Sequence, residues 1–118
     1  MIAASHRILV RALAKPKAEV LKDMDEDQAH LLHMAVGIST EAGEILSTVK
    51  AHAIYGKALD HENILEEVGD LLFYLQGLLD TQGLRLDDAL SHNIAKLTKR
   101  YPDGMFRTSD AIGRADKQ

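Results

Sequence analysis

The 118-residue chain has no cysteine, no tryptophan, two prolines and only 4% aromatic residues. Without cysteine there is no disulfide framework, no zinc–thiolate centre and no thiol nucleophile. Scarce aromatics beside abundant leucine and alanine suit helix-on-helix packing better than a β-sandwich. No stretch of useful length alternates apolar and polar residues as a half-buried strand does. Also missing are G-x-S-x-G and G-x-x-x-x-G-K-[ST], which removes the serine nucleophile elbow and the P-loop. Positive charge is not in excess: the net charge of −4 argues against a nucleic-acid partner. The stretch from Ile2 to Arg11 is too short and too interrupted by charge for a signal-peptide core or a membrane span. A cytoplasmic protein with no membrane partner is therefore the expectation.

What the chain does contain is helical periodicity, and 46% hydrophobic residues over this length suit a single packed domain. That domain spans 1–118, with its core over about 25–106 and a polar tail over 107–118. Ile8, Leu9, Ala12 and Leu13 suit a short amphipathic helix ending before Pro16, which can open the next helix at its first turn. A long helix is expected from about Asp25 to Tyr55, stopped by Gly56, with Lys57-Ala58-Leu59 as connector. Asp60 can cap a second long helix that runs to about Asp80, where Thr81-Gln82-Gly83 breaks it. A last long helix carries Leu90, Ile94, Leu97 and Tyr101 and ends at Pro102, because the residue before proline resists helical geometry. The tail offers one short helical turn near Ala111.

Two acid pairs stand out within this pattern. Glu41-x-x-Glu44 lies on the first long helix and Glu67-x-x-Asp70, after 22 intervening residues, on the second. Residues three apart on a helix share a face, so each pair aims two oxygen ligands at one place. A single E-x-x-E is by default a solvated face. Here both pairs flank apolar stripes: Leu31, Ala35, Ile38, Ala42, Ile45, Leu46 and Val49 on one helix, and Ile64, Val68, Leu71, Leu72, Leu75 and Leu78 on the other. Carboxylates crowded at a core margin repel one another and lose hydration, so they call for a cation, and all-oxygen ligands select a hard one such as Mg²⁺. Glycines beside the acids, Gly43 and Gly69, each cost roughly 1 kcal/mol in a helix and suggest a close backbone approach there.

The last helix carries a second stripe, Asn93, Lys96 and Arg100, beside its apolar one. It offers an amide, a point charge and a bidentate fork for phosphate oxygens, although basic residues are favoured near any helix C-terminus. His30 and His33 form an H-x-x-H, yet no glutamate is followed three residues later by histidine, so a di-iron bundle does not fit.

Glu41-x-x-Glu44, then Glu67-x-x-Asp70, then Asn93-Ile94-x-Lys96-Leu97-x-x-Arg100-Tyr101-Pro102 resemble the MazG-like all-α nucleoside triphosphate pyrophosphohydrolases, over about Leu31 to Phe106. Thr40 stands where the family's first motif usually begins with another glutamate. The resemblance implies an all-α, MazG-like bundle of four to five helices, completed by oligomerisation as a homodimer or homotetramer. It implies cleavage of a (deoxy)nucleoside triphosphate between its α- and β-phosphates, with Mg²⁺ as cofactor and Mn²⁺ as a substitute. On this reading Glu41, Glu44, Glu67 and Asp70 hold the metal. Glu41 or Glu44 also activates water, with Glu66 in reserve. Lys96 and Arg100 grip the phosphates, and Asn93 and Tyr101 contact sugar or phosphate. Charge alone, and not the resemblance, adds Lys57, with Lys50 behind it, as a further cation, and Arg114 and Lys117 in a tail that could fold over the site. A nucleotide-pool or house-cleaning role follows. The competing readings are a non-catalytic metal- or partner-binding bundle and a phosphoribosyl-ATP pyrophosphohydrolase, which shares the fold and reaction type.

Overall fold

The computed structural model describes residues 1–118, and local chemistry accounts for its helix boundaries. α1 (Ile2–Leu13) and α2 (Lys17–Asp23) flank Pro16, which sits at the N-cap with φ −56°, one residue ahead of the expected first-turn position. Its fixed φ and missing N–H suit either place. α3 (Glu26–Ala53) has 28 residues and is about 42 Å long at 1.5 Å per residue. It opens on a capping box in which Asp25 accepts from the Gln28 N–H at 2.8 Å and Gln28 accepts from the Asp25 N–H at 2.8 Å. α4 (His61–Thr81) opens on Asp60, whose carboxylate accepts from the Asn63 N–H at 2.9 Å. A cap of this kind contributes about 1 kcal/mol by satisfying an otherwise unpaired helix-end donor. Beyond these helices Gly56 and Gly83 take φ values of 68° and 65°, the left-handed region that glycine enters without a steric penalty.

α5 (Leu86–Arg100) stops at Tyr101, immediately before Pro102. The tail forms α6 (Thr108–Gly113) and a 3₁₀ turn (Ala115–Lys117), more structure than the single turn expected near Ala111. The chain is all-helical, without a strand, as its composition indicated. No helix is long and apolar enough to cross a membrane.

α3 and α4 form an antiparallel hairpin, the main packing within the chain. Two glycines set its closeness. The Tyr74 ring lies where a Cβ on Gly37 would project, and the Met34 thioether lies where one on Gly77 would. Farther along, the Asn63 amide donates to the Thr48 hydroxyl. The pairs Met34/Gly77, Gly37/Tyr74 and Thr48/Asn63 descend the helices in one constant register, with spacings of three and eleven residues, about one and three turns, that keep them on one seam.

That seam takes in only part of the stripes read off the sequence. It runs through Met34, Gly37, Glu41, Glu44 and Thr48, while Leu46 is 67% and Leu72 50% exposed. The close approach also falls elsewhere: a Cβ on Gly43 or Gly69 would meet open space. The stripes are thus split: Leu31, Ile38 and Ile45 on α3 and Ile64, Leu71, Leu75 and Leu78 on α4 are half-buried, Leu46, Val49, Val68 and Leu72 face outward, and Met34, at 5% exposure, is the one buried hydrophobic side chain. The chain exposes 9686 Å², against about 6,300 Å² for a folded monomer of its 13.0 kDa mass. Its radius of gyration is 20.4 Å, against about 13.5 Å for a compact domain of this length.

Candidate metal and phosphate site

Between the Gly37/Tyr74 layer and the Thr48/Asn63 layer, the hairpin register sets Glu41 opposite Asp70 and Glu44 opposite Glu67. The acids therefore lie along the seam, beside the half-buried Ile38, Ile45, Ile64 and Leu71. Glu41, Glu67 and Asp70 each present a ligand atom, all within 4.8 Å of one another, with the two glutamates half-buried and Asp70 exposed. Such crowding has an electrostatic consequence. The Glu67 carboxyl is pushed up to about 7. Its hydrogen bond with Glu41 is the largest cause, followed by partial desolvation and the negative charges of Glu41, Glu44 and Asp70. Three carboxylates at this separation resist full ionisation together, and a divalent cation would relieve that repulsion while taking hard oxygen ligands. The residues present fit such an ion.

Glu44 stands outside that trio. It is exposed and lines a polar cavity of about 320 Å³ with Ser47, Thr48, Ala51, Lys57, Ala58 and Asp60. Lys57 is thereby brought to the same place as an acid of the set. Its backbone is fixed twice: its N–H donates to the Ala51 carbonyl at 3.1 Å, and its carbonyl accepts from His52 Nδ1 at 2.8 Å. That second bond assigns the Nδ1–H tautomer to His52. Ser47, Thr48 and Asn63 were not singled out in the sequence. The signal available was Asp60-x-x-Asn63, a cap whose third residue turns its side chain toward α3.

Other candidates lie apart from this cavity. Glu66 is exposed and does not join the trio. The Lys50 ammonium sits over the Tyr55 ring, 5.7 Å from its centroid. The Thr40 hydroxyl donates to the Val36 carbonyl at 2.9 Å, a bond within its own helix that keeps it away from the acids. His33 approaches Tyr74 at 6.1 Å between ring centroids, and neither it nor His30 belongs to the carboxylate group.

The cationic stripe is on a different part of the chain. α5 packs chiefly on the tail, touching the end of α4 where Leu79 and Leu84 share a cavity with Asp88, Ala89 and His92. Asn93 is exposed and Lys96 half-buried. Arg100 is held by Asp116, with Nε and Nη2 donating to the two carboxylate oxygens at 2.7 and 3.0 Å. The pair holds the Asp116 carboxyl well below the usual carboxylate range and raises the Arg100 guanidinium above its own. Asp116 had drawn no attention in the sequence, where the tail showed only its cations. Tyr101 packs on Phe106 at 6.0 Å, and both line an apolar cavity of about 420 Å³ with Leu97, Thr98, Pro102, Gly104 and Met105. Within one chain, then, the structure joins the acids with Lys57 and leaves Asn93, Lys96, Arg100 and Tyr101 on a separate arm.

Comparison with known protein families matches residues 5–105 to the MazG nucleotide pyrophosphohydrolase domain. Comparisons with curated proteins and with solved structures returned no match.

Proposed function

The chain belongs to the family of MazG nucleotide pyrophosphohydrolase domains, and from that premise we propose that it cleaves (deoxy)nucleoside triphosphates to the monophosphate and pyrophosphate. The observation that carries this reading is the convergence of Glu41, Glu67 and Asp70 within 4.8 Å at the hairpin seam. These three residues would hold Mg²⁺, or Mn²⁺ in its place. The cation would neutralise charge on the phosphate oxygens and make water more acidic.

The remaining roles fall to the protein. Glu44, outside the trio and facing the polar cavity, is the carboxylate free to orient a water molecule and accept its proton. The water oxygen bonds to the α-phosphorus as the bond from that phosphorus to the bridging oxygen breaks, and pyrophosphate leaves with the bridging oxygen. Lys57, on the same cavity, offsets charge on the phosphates. Lys96 and Arg100 would bind the β- and γ-phosphates, with Asn93 and Tyr101 on sugar or phosphate.

Because α5 stands apart from the acid hairpin, the reading includes a homo-oligomer, a dimer or tetramer. The exposed area exceeds that of an ordinary monomer of this mass by about 3,400 Å². A standard interface takes about 800 Å² from each partner, so the apolar faces of α3 and α4 offer ample surface for one or more copies. A cytoplasmic nucleotide-pool or house-cleaning role completes the reading.

The test is product analysis in ¹⁸O-labelled water with Mg²⁺, over a panel of canonical and modified triphosphates that includes phosphoribosyl-ATP. Label in the monophosphate, lost with EDTA, is the expected result. Label in pyrophosphate would move the attack to another phosphorus. Turnover of phosphoribosyl-ATP alone would assign the biosynthetic reaction. Silence across the panel in folded protein would leave a binding bundle.

A further inference from the structure

Asp116 is 1% exposed at its side chain, although it lies in a short 3₁₀ turn whose main packing is against α5. A buried carboxylate persists only when its charge and lone pairs are matched, and here two arginines match them. Oδ1 accepts from Arg100 Nε at 2.7 Å and Arg114 Nε at 3.4 Å. Oδ2 accepts from Arg100 Nη2 at 3.0 Å and Arg114 Nη2 at 3.4 Å. Arg114 itself takes φ 51°, the left-handed region that an L residue rarely adopts, and so turns the chain back toward α5. Lys99 Nζ donates to the Gln118 carbonyl at 3.2 Å and the Gln118 amide donates to the Gly113 carbonyl at 3.1 Å, which closes the turn around Asp116.

The direction of the grip is the informative part. A guanidinium has five N–H donors in a rigid plane. Asp116 takes it side-on, through Nε and one hydrogen of Nη2. Asp116 takes neither hydrogen of Nη1 nor the second of Nη2, the terminal fork that fits two oxygens of one phosphate; the side chain is 16% exposed, and the Tyr101 hydroxyl is the other group acting on the guanidinium. Lys96 lies one turn earlier on the same face of α5. The two arginines against one carboxylate leave the cluster with a net positive charge.

We infer that Asp116 is a positioning residue for Arg100, holding the guanidinium side-on so that its terminal fork is presented, beside Lys96, to the phosphate chain of the substrate. This rests on the reading of Arg100 as a phosphate ligand. The tail is then a part of the substrate site that acts through α5.

The experiment is calorimetric binding of inorganic tripolyphosphate with Mg²⁺ to the full-length protein, for wild type, Arg100→Ala, Asp116→Asn and the double variant. Helical circular dichroism checks the fold of each. Arg100→Ala is expected to weaken binding. Asp116→Asn should weaken it by roughly tenfold, the low end for loss of an orienting partner, and should add nothing in the Arg100→Ala background. Asp116→Glu should restore part of the affinity, and it carries the same cycle if the asparagine variant does not fold. An equal loss from Asp116→Asn with or without Arg100 would make the contact merely structural and overturn the inference, as would unchanged affinity. Tighter binding by Asp116→Asn would overturn it in favour of an inhibitory clasp. If Arg100→Ala binds like wild type, the phosphate role of Arg100 fails and the inference with it, while pyrophosphate release by wild type would leave the reaction assignment standing.

Discussion

Lowering the pH from 8 to 6 is expected to weaken Mg²⁺ binding about tenfold and to change it from nearly proton-neutral to proton-releasing. The cause is Glu67, whose carboxyl is pushed up to about 7 chiefly by its hydrogen bond with Glu41. Binding to the ionised form is weakened by one plus ten raised to the difference between pKa and pH. With a pKa of about 7 that factor is about 11 at pH 6 and about 1.1 at pH 8. The same occupancy means about 0.9 proton released per cation at pH 6 and about 0.1 at pH 8. Calorimetric titration of the full-length protein with MgCl₂, in two buffers of different ionisation enthalpy at each pH, reads both affinity and proton release. Equal affinity at the two pH values with no buffer-dependent heat would show that the cation is bound without Glu67.

Without metal, the same shift acts on stability with a definite sign. The folded-state pKa of Glu67 lies above its unfolded value of 4.5, so its contribution is fully present below about pH 4.5 and is lost as pH rises through about 7. Thermal melts in EDTA should therefore show wild type losing stability across that window relative to Glu67→Gln, and parallel pH profiles would contradict this. Gly37→Ala should cost about 1–3 kcal/mol, because its Cβ would meet the Tyr74 ring. Gly69→Ala, where a Cβ meets open space, should gain up to about 1 kcal/mol from helix propensity; denaturant melts compare the two, and a large loss from Gly69→Ala would mean that another surface lies against that helix. Asp25→Ala should lose about 1 kcal/mol in the same melts with the capping box, and an unchanged midpoint would show that α3 does not depend on it.

The helices were legible because their boundaries rest on local chemistry that sequence displays: Asp25 and Asp60 as caps, Gly56 and Gly83 as stops, Pro102 as a terminator. The acid quartet was legible for a similar reason, since three-residue spacing fixes a shared face. The seam was legible only in part. Periodicity picks out the half-buried Leu31, Ile38, Ile45, Ile64, Leu71, Leu75 and Leu78 together with the outward-facing Leu46 and Leu72, but not the close contacts at Gly37, Gly77, Thr48, Asn63 and the acids. Small and polar residues at a contact give no hydrophobic signal. Asp116 was hidden for another reason: an acid 16 residues from Arg100 in a polar tail shows its partner only once α6 and the 3₁₀ turn bring it back. The relation of α5 to the acid hairpin lies beyond any local pattern, because short connectors fix sequence order and leave helix placement to tertiary and quaternary packing.

Pyrophosphate release by Glu67→Gln, measured beside wild type with Mg²⁺, decides whether the seam carboxylates hold a catalytic cation. Glutamine keeps the shape of the protonated side chain and can still donate to Glu41, so the hairpin should stay folded while the trio loses one anionic ligand. Turnover is expected to fall by roughly a hundredfold with the helical circular dichroism of wild type retained. Wild-type turnover by this variant would contradict that expectation and remove the seam carboxylates from the reaction.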